Sequence, residues 1–386
     1  AWGALTGVRP GKIFCSLLAA GLSEDEATRR FIDEYDVTPK RAALCRDTSR
    51  ETVKAVSELG EKDVCLYVGI PFCPTRCAYC SFVSQSVEKS MKLIPPFMNA
   101  LIKEVSAVGA ELRALGLRVV SIYMGGGTPT TLNAAQLDRL CTALEREFDL
   151  GALREYTVEA GRPDTITEDK LRVLRAHGVD RVSVNPQTMS DSVLETIGRR
   201  HSSADIVDAL EKVRAVGGFA VNMDLIAGLP SDSADGFRET LDKVLALAPE
   251  NITVHTLSLK KGSRIMLEGS RIPGADEVAQ MLDYADPTLR KHGFAPYYLY
   301  RQKYMSGSFE NVGWTKPGGT GLYNIYIMEE LHSILSLGAG GSTKMVGGGQ
   351  IRRAFNAKYP REYIDRPEKR RANLMDFARF YAEQGE

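Results

Sequence analysis

The sequence carries no excess of charge of either sign, with 49 Lys and Arg against 49 Asp and Glu. Bulk electrostatics therefore offer no case for binding nucleic acid or a charged membrane surface. No apolar run is long enough to span a bilayer. Histidine is scarce, five in 386 residues, and no two are spaced as a metal-binding pair. Glycine is common, yet no dinucleotide-binding fingerprint follows a strand, and the richest glycine run lacks the Lys-Ser/Thr of a phosphate loop. Cysteine is limited to seven, odd in number and unevenly placed, which suits a reducing compartment and predicts a cytoplasmic protein. The opening residues show no signal-peptide pattern. They run Ala1-Trp2-Gly3 without a methionine, which fits a trimmed start or a missing N-terminal domain.

What is present is a cluster of thiols. Three of the seven cysteines share one loop, Cys73-Pro-Thr-Arg-Cys77-Ala-Tyr-Cys80. Thiolates this close can reach one inorganic core, and three of them leave a four-metal cubane one ligand short. The iron without a protein ligand is an open coordination position for a small molecule. Other uses of the triplet fit less well. A disulfide would strand the third thiol. A tetrahedral zinc site wants a fourth Cys or His, usually from a second short-spaced pair, and there is none. A thioredoxin-like pair at Cys77 and Cys80 would ignore Cys73. Cys15, Cys45, Cys65 and Cys141 stand among apolar residues and read as buried core.

At 386 residues the chain is long enough to bury a large core. Residues 1–62 read as short amphipathic helices broken at Gly and Thr-Pro. From there the pattern alternates. Strand-like runs fall at Val64–Ile70, Val119–Met124, Tyr156–Ala160, Arg181–Asn185, Phe219–Ile226 and Ile252–Leu257. Helical stretches between them cover Phe97–Leu115, Ala134–Phe148, Glu168–His177, Ala204–Val216 and Phe237–Leu247. Six such units need right-handed crossovers and a parallel sheet, and predict an α/β fold with an incomplete (β/α)6 barrel over 63–290. Residues 291–386 break the rhythm with Tyr-rich and Gly-rich stretches and a charged closing helix, and read as a smaller α+β lobe.

In such a barrel functional residues gather at the carboxyl ends of the strands. The cysteine loop follows the first strand, and Gly125-Gly126-Gly127-Thr128-Pro129-Thr130 the second. Glu159 closes the third, Asn185-Pro186-Gln187 follows the fourth, and Asp224 lies near the end of the fifth. All should face one cavity. Glu159 and Asp224 sit in otherwise apolar strands, where a carboxylate is costly unless paired or ligand-bound; a buried salt bridge to Arg162 or Arg199 is the alternative. Gln187 would otherwise cap the turn begun by Pro186, and Arg199 would otherwise be an exposed cation at a helix end.

The CxxxCxxC loop after a first strand, followed by GGGTPT, resembles the radical S-adenosylmethionine superfamily. More narrowly, it resembles the oxygen-independent coproporphyrinogen III oxidase branch. Tyr67-Val-Gly-Ile-Pro-Phe-Cys73, Val158-Glu-Ala-Gly-Arg-Pro-Asp164, Asn222-Met-Asp-Leu-Ile-Ala-Gly-Leu-Pro230 and Ser336-Leu-Gly-Ala-Gly340 carry the likeness across nearly the whole chain. Asn185-Pro-Gln-Thr-Met189 and Tyr300-Arg-Gln-Lys303 are most similar to the HemZ type. The resemblance implies that Cys73, Cys77 and Cys80 hold a 4Fe–4S cluster. It implies that Tyr67, Gly126, Thr128, Glu159, Gln187, Arg199 and Asp224 line a site for S-adenosylmethionine, with one or two molecules bound. It further implies a reductive cleavage to a 5′-deoxyadenosyl radical, an electron donor such as flavodoxin or ferredoxin, and a tetrapyrrole substrate whose propionates become vinyl groups. Lys260, Arg264, Arg301 and Lys303 are candidate cations for the substrate carboxylates.

Two departures qualify the likeness. Oxidases of this branch carry a further cysteine two residues past the triplet, where this chain has Phe82. Heme-chaperone relatives share that phenylalanine but carry a histidine-containing motif in the last lobe. The matching stretch here, Tyr323-Asn-Ile-Tyr326-Ile-Met328, has tyrosine in the histidine position, and His332 is the nearest substitute.

Overall fold

A computed structural model describes residues 2–7, 9–80, 85–86, 90–258, 271–302 and 305–384. The strands are β1 (Asp63–Ile70), β2 (Phe72–Cys73), β3 (Gln85–Ser86), β4 (Arg118–Gly126), β5 (Glu155–Glu159), β6 (Arg181–Ser183) and β7 (Ala220–Ala227). They continue as β8 (Asn251–Thr256), β9 (Ala295–Arg301), β10 (Glu310–Thr315), β11 (Ile334–Gly338), β12 (Ser342–Gly347) and β13 (Gln350–Phe355). Eleven of them form one sheet in the order β13-β12-β11-β1-β4-β5-β6-β7-β8-β10-β9. The six expected strands, β1 and β4 to β8, lie side by side and parallel, as strand–helix repetition requires. Residues 291–386 supply β9 and β10 to one edge and β11 to β13 to the other, with β11 parallel to β1 and the outer strands antiparallel.

Helices at Ile94–Leu115, Ala134–Glu147, Glu168–Ala176, Ser203–Val216 and Ala234–Ala246 cover the outer face in the expected places. The first begins three residues before the anticipated Phe97 because Pro95 and Pro96 occupy its opening turn, where a missing N–H costs nothing. The last begins three residues early because the Ser233 hydroxyl accepts from the Gly236 N–H and caps it. No helix among the described residues is long and apolar enough to cross a membrane. The helices at Pro10–Ala19, Glu24–Asp33 and Pro39–Ser57 pack together, and the longest lies against β9. Trp2 Nε1 donates to Glu310 at 2.7 Å and Arg41 pairs with the same carboxylate at 2.9 Å, tying this segment to β10.

Where β1 meets β11 the backbones approach too closely for any side chain. Gly69 is paired with Gly338, and a Cβ on Gly338 would stand 2.2 Å from the Gly69 carbonyl oxygen. Gly338 also has φ +87°, a conformation that L side chains rarely adopt. Gly338→Ala should lower stability by about 2–4 kcal/mol, combining overpacking with left-handed strain. Urea unfolding checks this, and a variant as stable as the parent would show that the strand junction yields.

Candidate active site

The register of the parallel sheet builds the site. Ser336, Tyr67, Tyr123, Thr157 and Arg181 are successive partners across β11, β1, β4, β5 and β6. Glu159, Ser183 and Asn222 form a second such row. Because strand side chains alternate between faces, each row turns its members to one side. All of these residues line a cavity of about 680 Å³ at the carboxyl ends of the strands. The same cavity is lined by Cys73, Cys77, Cys80, Gly126, Thr128, Gln187, Arg199 and Asp224. Every candidate for the cluster and S-adenosylmethionine is thus brought to one place.

The cysteine loop is held there by main-chain pairing. Gly127 N–H donates to the Ile70 carbonyl and Thr128 N–H to the Phe72 carbonyl, both at 2.7 Å. A Cβ on Gly127 would lie 2.4 Å from the Phe72 oxygen, so the glycine run gives close approach to the loop's own backbone. Thr128 Oγ1 then donates to Cys73 Sγ at 3.5 Å. Arg162, only 3% exposed, places Nη1 2.9 Å from Thr75 Oγ1 and 4.0 Å from Cys77 Sγ. Phe82 lies outside the described residues, as do Lys260, Arg264 and Lys303.

The buried salt bridges that were the alternative reading of the carboxylates are not formed. Glu159 accepts from Tyr123 Oη at 2.5 Å. Asp224 accepts from Asn222 Nδ2 at 2.7 Å and lies 3.8 Å from His255 Nε2. Arg162 pairs with Asp164 instead, and Arg199 donates to the carbonyl oxygen of Asn185 at 2.7 Å and to Tyr79 Oη at 3.0 Å. Far from being an exposed helix-end cation, Arg199 is buried, with its Nε unpartnered. The two carboxyls are pushed apart. Burial, with the nearby charge of Asp224, raises Glu159 to about 7. Burial also works against ionisation of Asp224, but the hydrogen bonds and charge of His255 and the amide of Asn222 outweigh it and leave Asp224 below the usual range. Gln187 sits buried in the wall with φ +67°, strain tolerated where backbone geometry matters: its N–H donates to the Asp224 carbonyl and its own carbonyl accepts from Ile226.

Several lining residues escaped the sequence reading. Tyr323 stacks on Tyr123 with centroids 4.4 Å apart, and Tyr67 lies 6.3 Å from Tyr123. Tyr297, Tyr298 and Tyr300 extend this aromatic wall. His255 lines the cavity between Asp224 and Tyr300. Period-two alternation along β8 and β9 is a local signal for His255, Tyr298 and Tyr300, whereas Tyr323 stands on the helix Leu322–Glu329 and has none. Two candidates point elsewhere. The Arg301 guanidinium is spent on backbone carbonyls of Leu5, Gly7 and Ser308 and stacks over Trp2. His332 is buried against Cys65 Sγ at 3.3 Å and edge-on to Tyr326, away from the cavity.

The family profile of the Radical SAM superfamily matches residues 67–244. An oxygen-independent coproporphyrinogen-III oxidase-like protein, HemZ, from Bacillus subtilis is 39% identical over 95% of this chain and 75% of its own length. The chain belongs to this radical S-adenosylmethionine family. A heme chaperone, HemW, from Lactococcus lactis is 30% identical over 73% of the chain and 69% of its own length. The structure of coproporphyrinogen III oxidase (HemN) from Escherichia coli shares the fold at a TM-score of 0.65 with 23% identity, covering 83% of this chain and 72% of that one. The cofactors of the radical S-adenosylmethionine family are a 4Fe–4S cluster and S-adenosylmethionine. The residues present fit the cluster. Cys73, Cys77 and Cys80 come from one loop and line one cavity, as the separate thiolate ligands of a cubane require. The buried Arg162 cation beside Cys77 suits an anionic cluster.

The raised Glu159 carboxyl has a measurable consequence. Its neutral form is favoured in the folded protein, so its contribution to stability is complete below its ordinary 4.5 and is lost as pH rises through about 7. A ligand that brings a cation to the carboxylate reverses this. S-adenosylmethionine should bind the cluster-reconstituted protein more tightly as pH rises from about 6 to 8. Tyr123→Phe, which removes a donor to the carboxylate, should move that rise to higher pH. Calorimetric titration tests both, and affinity flat across the range would remove Glu159 from the binding site.

Proposed function

We propose that this radical S-adenosylmethionine enzyme is an oxidoreductase of the cytoplasm that decarboxylates the propionates of coproporphyrinogen III to vinyl groups. The supporting observation is one cavity in which three thiols, two differently tuned carboxylates and a buried arginine meet a wall of tyrosines. When bound, the cluster and S-adenosylmethionine supply a 5′-deoxyadenosyl radical, using an electron from a donor such as flavodoxin or ferredoxin. Cys73, Cys77 and Cys80 hold the cluster. Tyr67, Gly126, Thr128, Glu159, Gln187, Arg199 and Asp224 bind and orient S-adenosylmethionine, with Arg199 offering a planar cation to its carboxylate and Asp224 an acceptor to its hydroxyls or sulfonium. The tyrosine wall excludes water from a reactive carbon centre and offers flat surfaces to a tetrapyrrole. The β-hydrogen leaves the propionate as a hydrogen atom. Carbon dioxide and one electron follow, the electron passing to an external acceptor.

The burial of His332 against Cys65, outside the cavity, speaks against heme ligation by that residue. Burial lowers its imidazole to about 4.

Anaerobic turnover of the cluster-reconstituted protein with a reductant, S-adenosylmethionine and coproporphyrinogen III should yield 5′-deoxyadenosine and protoporphyrinogen IX by mass spectrometry. 5′-Deoxyadenosine with unchanged porphyrinogen would transfer the radical machinery to another substrate. A stable Soret-absorbing complex without turnover would identify a heme carrier. Replacing any one of Cys73, Cys77 or Cys80 by Ala should abolish the brown chromophore and 5′-deoxyadenosine together; a variant retaining both would sink the cluster assignment for that residue.

A further inference from the structure

The loop after β5 carries a charge arrangement that the binding roles above do not use. Arg162 is 3% exposed and lies beneath the cysteine loop, with Nη1 directed to Thr75 Oγ1 at 2.9 Å and to Cys77 Sγ at 4.0 Å. Its other nitrogens are taken by one carboxylate. Nε reaches Asp164 Oδ1 at 3.0 Å and Nη2 reaches Asp164 Oδ2 at 3.1 Å, a two-pronged pairing that fixes the plane of the guanidinium. The Asp164 side chain is 35% exposed, so one end of the pair meets solvent while the other faces a thiol. Opposite, Arg199 grips the same loop through Tyr79 Oη at 3.0 Å. His201 completes the cluster of groups, with Nδ1 4.0 Å from Asp164 and neither ring nitrogen otherwise partnered. Burial, Arg199 and Arg162 lower its imidazole to about 4, so it adds no charge near neutral pH.

A reduced iron–sulfur cluster carries one more negative charge than the oxidised one, and its potential responds to nearby charge and to hydrogen bonds on its sulfurs. A buried cation at one thiolate stabilises the reduced form, and an anion paired to that cation subtracts from the effect. We propose that Arg162 and Asp164 form a charge couple that sets the reduction potential of the cluster through the sulfur of Cys77. Arg162 raises the potential and Asp164 trims it back. Arg162 is thus a positioning and tuning residue, acting through the Cys77 ligand. This inference rests on the thiol triplet holding the cluster and is independent of which substrate the enzyme transforms.

The test is an EPR-monitored redox titration of the reconstituted full chain, without porphyrinogen. Arg162→Gln should move the midpoint to more negative potential. Asp164→Asn should move it in the opposite direction, by less, because solvent screens the partly exposed carboxylate. Arg162→Lys, which keeps the charge but loses the fork, should fall between the parent and Arg162→Gln. Shifts of opposite sign establish the couple. If Arg162→Gln fails to retain its cluster, Asp164→Asn decides alone, since it leaves every residue of the cysteine loop in place. A parental midpoint in Asp164→Asn, or shifts of the same sign in both variants, would overturn the proposal and leave Arg162 as a structural tether.

Discussion

The site depends on one backbone junction, where the end of β4 grips the chain leaving β1. Two main-chain hydrogen bonds, from Gly127 and Thr128 to the carbonyls of Ile70 and Phe72, hold the segment that carries Cys73 against the sheet. Their 2.7 Å length leaves no room for a side chain at Gly127, which explains a glycine there better than a need to touch ligand. Everything chemical is stacked on that junction. Thr128 reaches Cys73 because its own N–H is fixed, and Arg162 and Arg199 reach the loop from the far side because it has already been brought within range. A loop of three thiols pinned only by its metal would be ordered by the cofactor; here the protein orders much of it beforehand.

The second constraint is the parallel register. One row of partners runs from Ser336 through Tyr67, Tyr123 and Thr157 to Arg181, and every member lines the cavity. Parallel strands buried on both faces usually read as continuous apolar runs, so a polar residue in one of them is costly. Here the costs are met within the cavity wall: Tyr123 donates to Glu159, and Asn222 to Asp224. Some buried polar atoms without a partner stand at the same wall, among them Tyr323 Oη, Arg181 Nε and Arg199 Nε. Unsatisfied polar atoms are rare in folded proteins, and those that line the cavity are within reach of a bound ligand.

These relations differ in how far the residues alone reveal them. The strand–helix alternation, the cysteine loop, and Glu159 and Asp224 are local patterns, and their common location followed from the rule that barrel strands deliver function at their carboxyl ends. Legible too was that carboxylates in apolar strands need partners. Which partners they have was not, because Tyr123 meets Glu159 through the pairing of β4 with β5, a long-range event with no local signature. The arginines show the same limit: Arg162 and Arg199 were the obvious cations for Glu159 and Asp224, yet both turn to the cysteine loop. His255 and the tyrosines of β9 carry no local mark of a site, and only the pairing of β8, β10 and β9 brings them to the cavity.

Arg301 and His332 show why proximity in sequence is a weak guide to a shared cavity. Both fall in stretches that look functional. Yet each is engaged elsewhere, Arg301 by carbonyls of the N-terminal segment and His332, through Nε2 and its ring edge, by a buried thiol and a tyrosine ring. A guanidinium already donating to three carbonyl groups would have to give up those bonds to hold a substrate carboxylate. Among the described residues, the cations that line the cavity are Arg162, Arg181, Arg199 and Lys358. The first three are tied to Asp164, to Asn251 and to the Asn185 carbonyl. Of these, Arg162 is paired with a carboxylate, whereas Arg181 and Arg199 donate to neutral oxygens and keep an uncompensated charge, as does the exposed Lys358. A chain with no net charge can still hold positive charge at one cavity, because the arrangement of its charges, and not their sum, sets the local field.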